Sequence, residues 1–216
     1  MIIKKEVLSK GAEAIVYRGS FLKTQIILKH RLPKAYRLPQ IDKKIRLRRL
    51  RAEARILITA WKNRIQVPVL LGIDFDNQIL MIEEIQGEIL FSRMKKAPQT
   101  KLIEIFESVG HQIGLLHEND IIHGDLTVFN IIINKENVPW LIDFGLGQVS
   151  VELEKKAEDL LTFYSTLKAI TSDFQSLLDG FQLGYLRVYK EGRKTFEHMK
   201  KIQSRARYIA REDRIE

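Results

Sequence analysis

Over the first thirty residues the apolar positions fall into three short runs, "IIKKEVL", "AIVYRG" and "TQIILKH", separated by Gly11 and by Gly19–Ser20. Short apolar runs punctuated by glycine predict a β-meander. The period then changes. Leu50, Ala54, Leu57, Ile58 and Trp61 recur at helical spacing and predict a helix over 41–61 with one apolar stripe. "VPVLLGIDFDNQILMIEEI" predicts two strands around a turn at Asp76–Asn77. From Gln99 the helical period returns, with Leu102, Phe106, Val109, Ile113 and Leu116 on one stripe. Ile121–Ile122 and Ile131–Ile133 read as short buried strands, followed by a turn at "NKENVP" and a strand "WLID". Helices are then expected around 155–170, 172–190 and 193–211. Strands with one helix, then mostly helices, predict an α+β fold: a β-rich N-lobe over 1–85 and a reduced helical C-lobe over 86–216, joined near Glu83–Gly87.

Composition narrows the function classes. No apolar run reaches the ~18 residues that span a bilayer, so no membrane role is expected. The start "MIIKKEVLSKGAEA" lacks the order of a secretory signal, and the chain has no cysteine. Disulfides, thiolate metal sites and a cysteine nucleophile are excluded, and a cytoplasmic location is expected. The 216 residues carry a net charge of +9, unevenly spread. Between Lys29 and Arg64 the only carboxylates are Asp42 and Glu53 among thirteen cations. The stretch from Arg187 to Arg211 is basic too. Such faces suit a polyanion, though solvated helical surfaces look the same in sequence.

The chemistry concentrates in "IIHGDLTVFNIII" and "WLIDFGLG". Asn130 precedes one short strand and Asp143 follows another, so neighbouring strands would bring an amide and a carboxylate to one cation. Mg²⁺ favours such hard oxygen ligands. Asp125, on the loop between the Ile runs, would face an incoming hydroxyl and orient or deprotonate it. His-x-Asp-x-x-x-x-Asn followed by Asp-Phe-Gly is the arrangement of phosphoryl-transfer enzymes of the kinase type. That reading demands a Lys–Glu pair upstream. Lys29 ends the strand "TQIILK", and Glu53 lies on the inward stripe of an otherwise cationic helix. A carboxylate on an apolar face needs a cation, and Lys29 is the predicted one, in preference to a surface pair between Glu53 and Arg49. Lys29 would then hold the ATP phosphates. Backbone groups of Glu83 and Ile85, at the lobe junction, are the expected adenine contacts.

These motifs resemble the protein-kinase superfold and, more narrowly, the small atypical kinase subunits of the KEOPS (EKC) complex. The marks are "KGAEAIVY", "YRLPQID", "RAEARIL", "HGDLTVFNIII", "IDFGLG" and "EKKAEDLLTFYSTL", spread from residue 10 to about 185. The resemblance implies a serine/threonine kinase-like ATPase using ATP and Mg²⁺, in the complex that makes threonylcarbamoyladenosine in tRNA. Its partners would be the threonylcarbamoyl-transferase subunit, a small regulatory subunit and, through the complex, tRNA. It implies Asp125 as catalytic base, Asn130 and Asp143 as metal ligands, Lys29 as phosphate ligand, and Asp159 as the helix residue that braces the catalytic loop. Gly11 and Glu13 mark the phosphate loop. Arg205 and Arg207, in the basic tail, are the candidate nucleic-acid contacts.

Departures from the general kinase pattern matter. Gly124 replaces the arginine that reads a phosphorylated activation loop, and after "DFGLG" the chain runs almost straight into a helix, with no "APE". Glu13 stands where the phosphate loop would have a glycine. Weak free-standing kinase activity and slow turnover or ATP hydrolysis are expected. Aminoglycoside and choline kinases share His-Gly-Asp-x-x-x-x-Asn but need a larger lobe with an acidic pocket, and this C-terminal half is short and basic. A non-catalytic scaffold would not need Lys29, Glu53, Asp125, Asn130 and Asp143 together.

Overall fold

The computed structural model describes residues 3–11, 13–22 and 24–212, with side chains for 6–205 of these. Three antiparallel strands, β1 (Ile3–Lys10), β2 (Ile15–Phe21) and β3 (Thr24–His30), form the meander. Helix α1 (Pro39–Lys62) follows, with Pro39 in its first turn, where a missing N–H costs nothing. Strands β4 (Leu70–Asp74) and β5 (Ile79–Glu83) complete a five-stranded sheet of order β1-β2-β3-β5-β4. Asp74 accepts hydrogen bonds from the backbone and side chain of Asn77 and so closes the expected turn. Lys29 pairs with Val16 on one side and Leu80 on the other, in the middle of the sheet.

After residues 84–87 the chain becomes mainly helical. Strand β6 (Glu88–Ile89) leads into the short α2 (Leu90–Met94) and the long α3 (Gln99–Glu118). All five predicted stripe residues of α3, from Leu102 to Leu116, are buried. Four short strands follow: β7 (Ile121–Ile122), β8 (Ile131–Ile133), β9 (Pro139–Leu141) and β10 (Gln148–Val149). β10 pairs with β7, and β8 lies between β6 and β9. Helices α4 (Leu153–Ile170), α5 (Phe174–Val188) and α6 (Gly192–Glu212) end the described chain. The fold is α+β, an antiparallel sheet region followed by a helical part.

Glycines bring α3 and α5 unusually close. A Cβ on Gly110 would stand 1.9 Å from the Phe181 carbonyl oxygen, and one on Gly184 1.8 Å from that of Glu107. Helix backbones can approach this far only where side chains are absent. The expected stripe of α1 needs one correction. Leu50, Ala54 and Leu57 are buried, but Ile58 and Trp61 are 42% and 57% exposed, while Ile56 and Ala60 are buried. The last turns of α1 face β10 as well as the sheet: a Cβ on Gly147 would stand 2.8 Å from the Ile56 side chain. The second partner turns the buried face toward 56 and 60.

Candidate active site

The loop between β7 and β8 is held from below by a helix. Asp159, buried in the second turn of α4, accepts the His123 N–H at 2.6 Å and the Gly124 N–H at 2.8 Å. Its Oδ2 also lies 3.4 Å from His117 Nε2, and His117 Nδ1 is 2.7 Å from the Tyr185 hydroxyl. Gly124 has φ +82°, and a Cβ there would stand 2.3 Å from the Leu146 carbonyl oxygen. Only glycine meets both demands, so the position has no room for an arginine. His123 is fully buried against the Phe144 ring, with centroids 4.6 Å apart. Its Nε2 is 3.0 Å from the Ile142 carbonyl and its Nδ1 is 3.4 Å from the Asp125 N–H, which makes Nε2 the protonated nitrogen. Burial pushes its pKa down against the pull of Asp159 and Asp143. The neutral ring ties the loop to the strand that delivers Asp143.

Asp125 and Asn130 face one another across the loop. Asn130 Nδ2 donates to the Asp125 carbonyl at 2.8 Å and to its carboxylate at 3.0 Å. That fixes Asn130 with its amide oxygen as the remaining acceptor end. The Ile142 N–H donates to the Asn130 carbonyl at 3.0 Å, continuing the β8–β9 register in which Ile131 faces Leu141. This bond sets the backbone of residue 130 beside Ile142, the residue before Asp143. Asp143 has φ +64°; its Oδ1 accepts from Gly145 N–H at 3.1 Å, and the carboxylate is half-exposed. A carboxylate and an amide oxygen suit a hard cation.

Lys29 and Glu53 form the predicted pair, Nζ to Oε1, at 2.7 Å. Lys29 also reaches Asp143 Oδ1 at 2.5 Å, which joins the sheet to the loop after β9. Burial pulls the Lys29 pKa down, but Glu53 and Asp143 outweigh it and leave it above its ordinary value. Burial likewise pushes Asp143 up, and the Lys29 charge and hydrogen bond bring it below the usual carboxylate range. A cavity of about 200 Å³ opens onto Gly11, Glu13, Lys29, Arg31, Asp125 and Asp143. The Glu13 carboxylate is paired with Arg49 of α1. The same pair disposes of the alternative Glu53–Arg49 contact.

Other expected residues lie apart from this cavity. The Glu83 carboxylate accepts from the Val69 N–H at 3.2 Å, and neither Glu83 nor Ile85 lines the cavity wall. Arg205 is exposed on α6, and the side chain of Arg207 lies outside the described residues. Two contributions were missed in the sequence. Arg18 donates to Glu84 at 2.7 Å and so ties β2 to the connector after β5. Arg31 donates to Glu53 at 2.5 Å from a fully buried position. The available signal was strand alternation, which puts residues 29 and 31 on one face.

A sheet carrying an inward Lys–Glu pair above a His-Gly-Asp loop and a helical region defines the protein-kinase-like class. The RIO domain family model matches residues 29–174. The chain is 34% identical over 217 residues to the KEOPS complex subunit Bud32 of Pyrococcus abyssi, covering 95% of this chain and 97% of that one. It is 36% identical over 208 residues to a probable bifunctional tRNA threonylcarbamoyladenosine biosynthesis protein of Methanocaldococcus jannaschii, covering 96% of this chain but 38% of that protein. A protein of the same name from Methanothermobacter thermautotrophicus is 38% identical over 181 residues, of which this chain spans 33%. The chain thus belongs to the RIO domain family and to the family of the Pyrococcus subunit.

Proposed function

We propose that the chain is an ATP- and Mg²⁺-dependent atypical serine/threonine kinase and ATPase that works in a KEOPS complex, in the pathway that installs threonylcarbamoyladenosine on tRNA. The observation that carries this reading is one cavity lined by Lys29, Asp125 and Asp143, with Lys29 bonded to both Glu53 and Asp143 and with Asn130 bonded to Asp125. Lys29 holds the phosphates, and Asp125 receives the proton of the attacking hydroxyl or water. Mg²⁺ held by Asn130 and Asp143 would neutralise charge on the transferred phosphoryl group. Glu83 and Ile85 offer backbone groups to the adenine at the lobe junction, and Gly11 and Glu13 border the phosphates.

Only residues 144–152 separate Asp143 from α4, and they are folded back by β10 onto β7. That leaves no platform for an extended peptide. Hydrolysis, or phosphorylation of a bound subunit, fits the site better than broad peptide phosphorylation. Relatives named as bifunctional in threonylcarbamoyladenosine biosynthesis, of which this chain spans little more than a third, support a transferase subunit as neighbour. A small regulatory subunit completes the proposed assembly. The exposed residues Lys44, Arg48, Arg51, Arg55 and Lys62 of α1, with Arg205 and Arg207 of the tail, support contact with tRNA. No described helix is long and apolar enough to cross a membrane, and a cytoplasmic site of action fits the reaction.

The test is ATP hydrolysis with and without the transferase subunit and tRNA. Strong stimulation is expected for the wild type, and Asp125→Ala and Asp143→Ala should abolish turnover while leaving the chain folded. Turnover retained in either variant would refute the assigned roles.

A further inference from the structure

Glu53 is held by two cations, and only one of them belongs to the phosphoryl-transfer set. Its Oε1 accepts from Lys29 at 2.7 Å and its Oε2 from Arg31 Nη2 at 2.5 Å. Arg31 follows β3 and is locked through its backbone: its N–H donates to the Gln78 carbonyl at 3.1 Å, and its carbonyl accepts from Arg46 at 3.2 Å. The guanidinium is buried, and its Nε has no hydrogen-bond partner among the described residues. Glu53 is thus its counter-ion. The two cations stand side by side on the cavity wall, next to Gly145. A Cβ on Gly145 would lie 3.2 Å from Arg31 Nη2 and 3.4 Å from Lys29 Nζ.

We propose that Arg31 is a positioning residue of the nucleotide site: it shares Glu53 with Lys29, so that the lysine can hold the phosphates while the Lys29–Glu53 pair stays in place. The inference rests on the nucleotide reading of the cavity. As described, two cations (Lys29, Arg31) balance two carboxylates (Glu53, Asp143). While Lys29 is the only cation on a buried Glu53, that carboxylate competes with the phosphates for the single lysine charge. Arg31 removes that opposition. Its buried guanidinium, bonded to Glu53 Oε2, adds a second charge on the carboxylate and keeps α1 docked while Lys29 spans Glu53 and the phosphates.

The experiment is calorimetric binding of Mg²⁺–ATP and, separately, of adenosine, which offers Lys29 no phosphate. Arg31→Gln should weaken ATP about tenfold, the size of one lost charge-assisted hydrogen bond, with adenosine changed less than about twofold. Arg31→Lys should recover most of the loss, since it restores the charge. Because Arg31 acts through Glu53, the double variant Arg31→Gln/Glu53→Gln should bind ATP as Glu53→Gln does alone. Equal losses for ATP and adenosine, a lysine variant no better than glutamine, or additive losses in the double variant would each overturn the proposal. If Arg31→Gln does not fold, Arg31→Lys decides: ATP binding within about threefold of wild type supports it, and a tenfold loss overturns it. Wild-type protein that binds neither compound would overturn the nucleotide reading itself, an outcome distinct from a wild type that binds and an Arg31→Gln that is indifferent.

Discussion

Removing the Asp159 carboxylate tests how the catalytic loop is held. It accepts two backbone N–H groups, from His123 at 2.6 Å and Gly124 at 2.8 Å, and faces His117 Nε2 at 3.4 Å. Asp159→Ala leaves the two loop donors without an acceptor, one of them on the fully buried His123. Hydrogen bonds to a charged group contribute ~1.5–3 kcal/mol each, so the two together amount to about 3–6 kcal/mol. Against a total stability of ~5–15 kcal/mol that is a large fraction. For a chain of this size each kcal/mol moves Tm by roughly 2–4 °C, so a fall of about 6–24 °C is expected. Asp159→Asn keeps one acceptor oxygen and turns an NH₂ toward the other donor, so it should lose about half as much. Urea denaturation with matched m-values gives the free energies, and ATP hydrolysis at a temperature where each variant is folded gives the effect on Asp125 placement. Both variants should hydrolyse ATP more slowly than wild type there. An Asp159→Ala protein within about 2 °C of the wild-type Tm would refute the bracing argument. So would one destabilised as expected but with full turnover, since the brace would then not position Asp125.

Three further expectations can be checked. His123 is held neutral by burial, its pKa below the ~6.5 of the unfolded chain. On acidification from about pH 7 to 5.5 the unfolded state takes up a proton that the folded state refuses, so stability should fall by up to ~1.4 kcal/mol per pH unit from this group. His123→Asn should show a shallower slope in pH-dependent unfolding, and an equal slope would contradict the assignment. Gly184→Ala would place a Cβ 1.8 Å from the Glu107 carbonyl and force α3 and α5 apart. A loss of roughly 3 kcal/mol or more is expected from overpacking of this kind, read as Tm. On α1, Arg48→Gln/Arg51→Gln/Arg55→Gln removes three exposed cations and should lower the slope of log K for tRNA against log salt by ~2–3 units. Arg205→Glu/Arg207→Glu tests the tail by the same titration, and an unchanged slope in either variant assigns that face to solvent.

Local periodicity carried the outline of this chain. The meander, α3 with its buried stripe and the short strands flanking the loop follow from spacing alone, because a half-buried strand and a one-sided helix impose different periods on their apolar residues. One electrostatic inference also held over distance. A carboxylate on the inward face of a cationic helix required a buried cation, and Lys29 at 2.7 Å from Glu53 is that cation. Tertiary structure decided what depends on a second surface. Trp61 and Ile58 keep the period of the α1 stripe, yet they lie exposed because α1 meets β10 as well as the sheet. Gly124 reads in sequence as a missing arginine; folded, it is a left-handed turn pressed against Leu146 and bound to Asp159, 35 residues away. Arg31 was one basic residue among thirteen cations between Lys29 and Arg64. Burial against Glu53 singled it out, and burial is a property of the assembled elements, which no local pattern encodes.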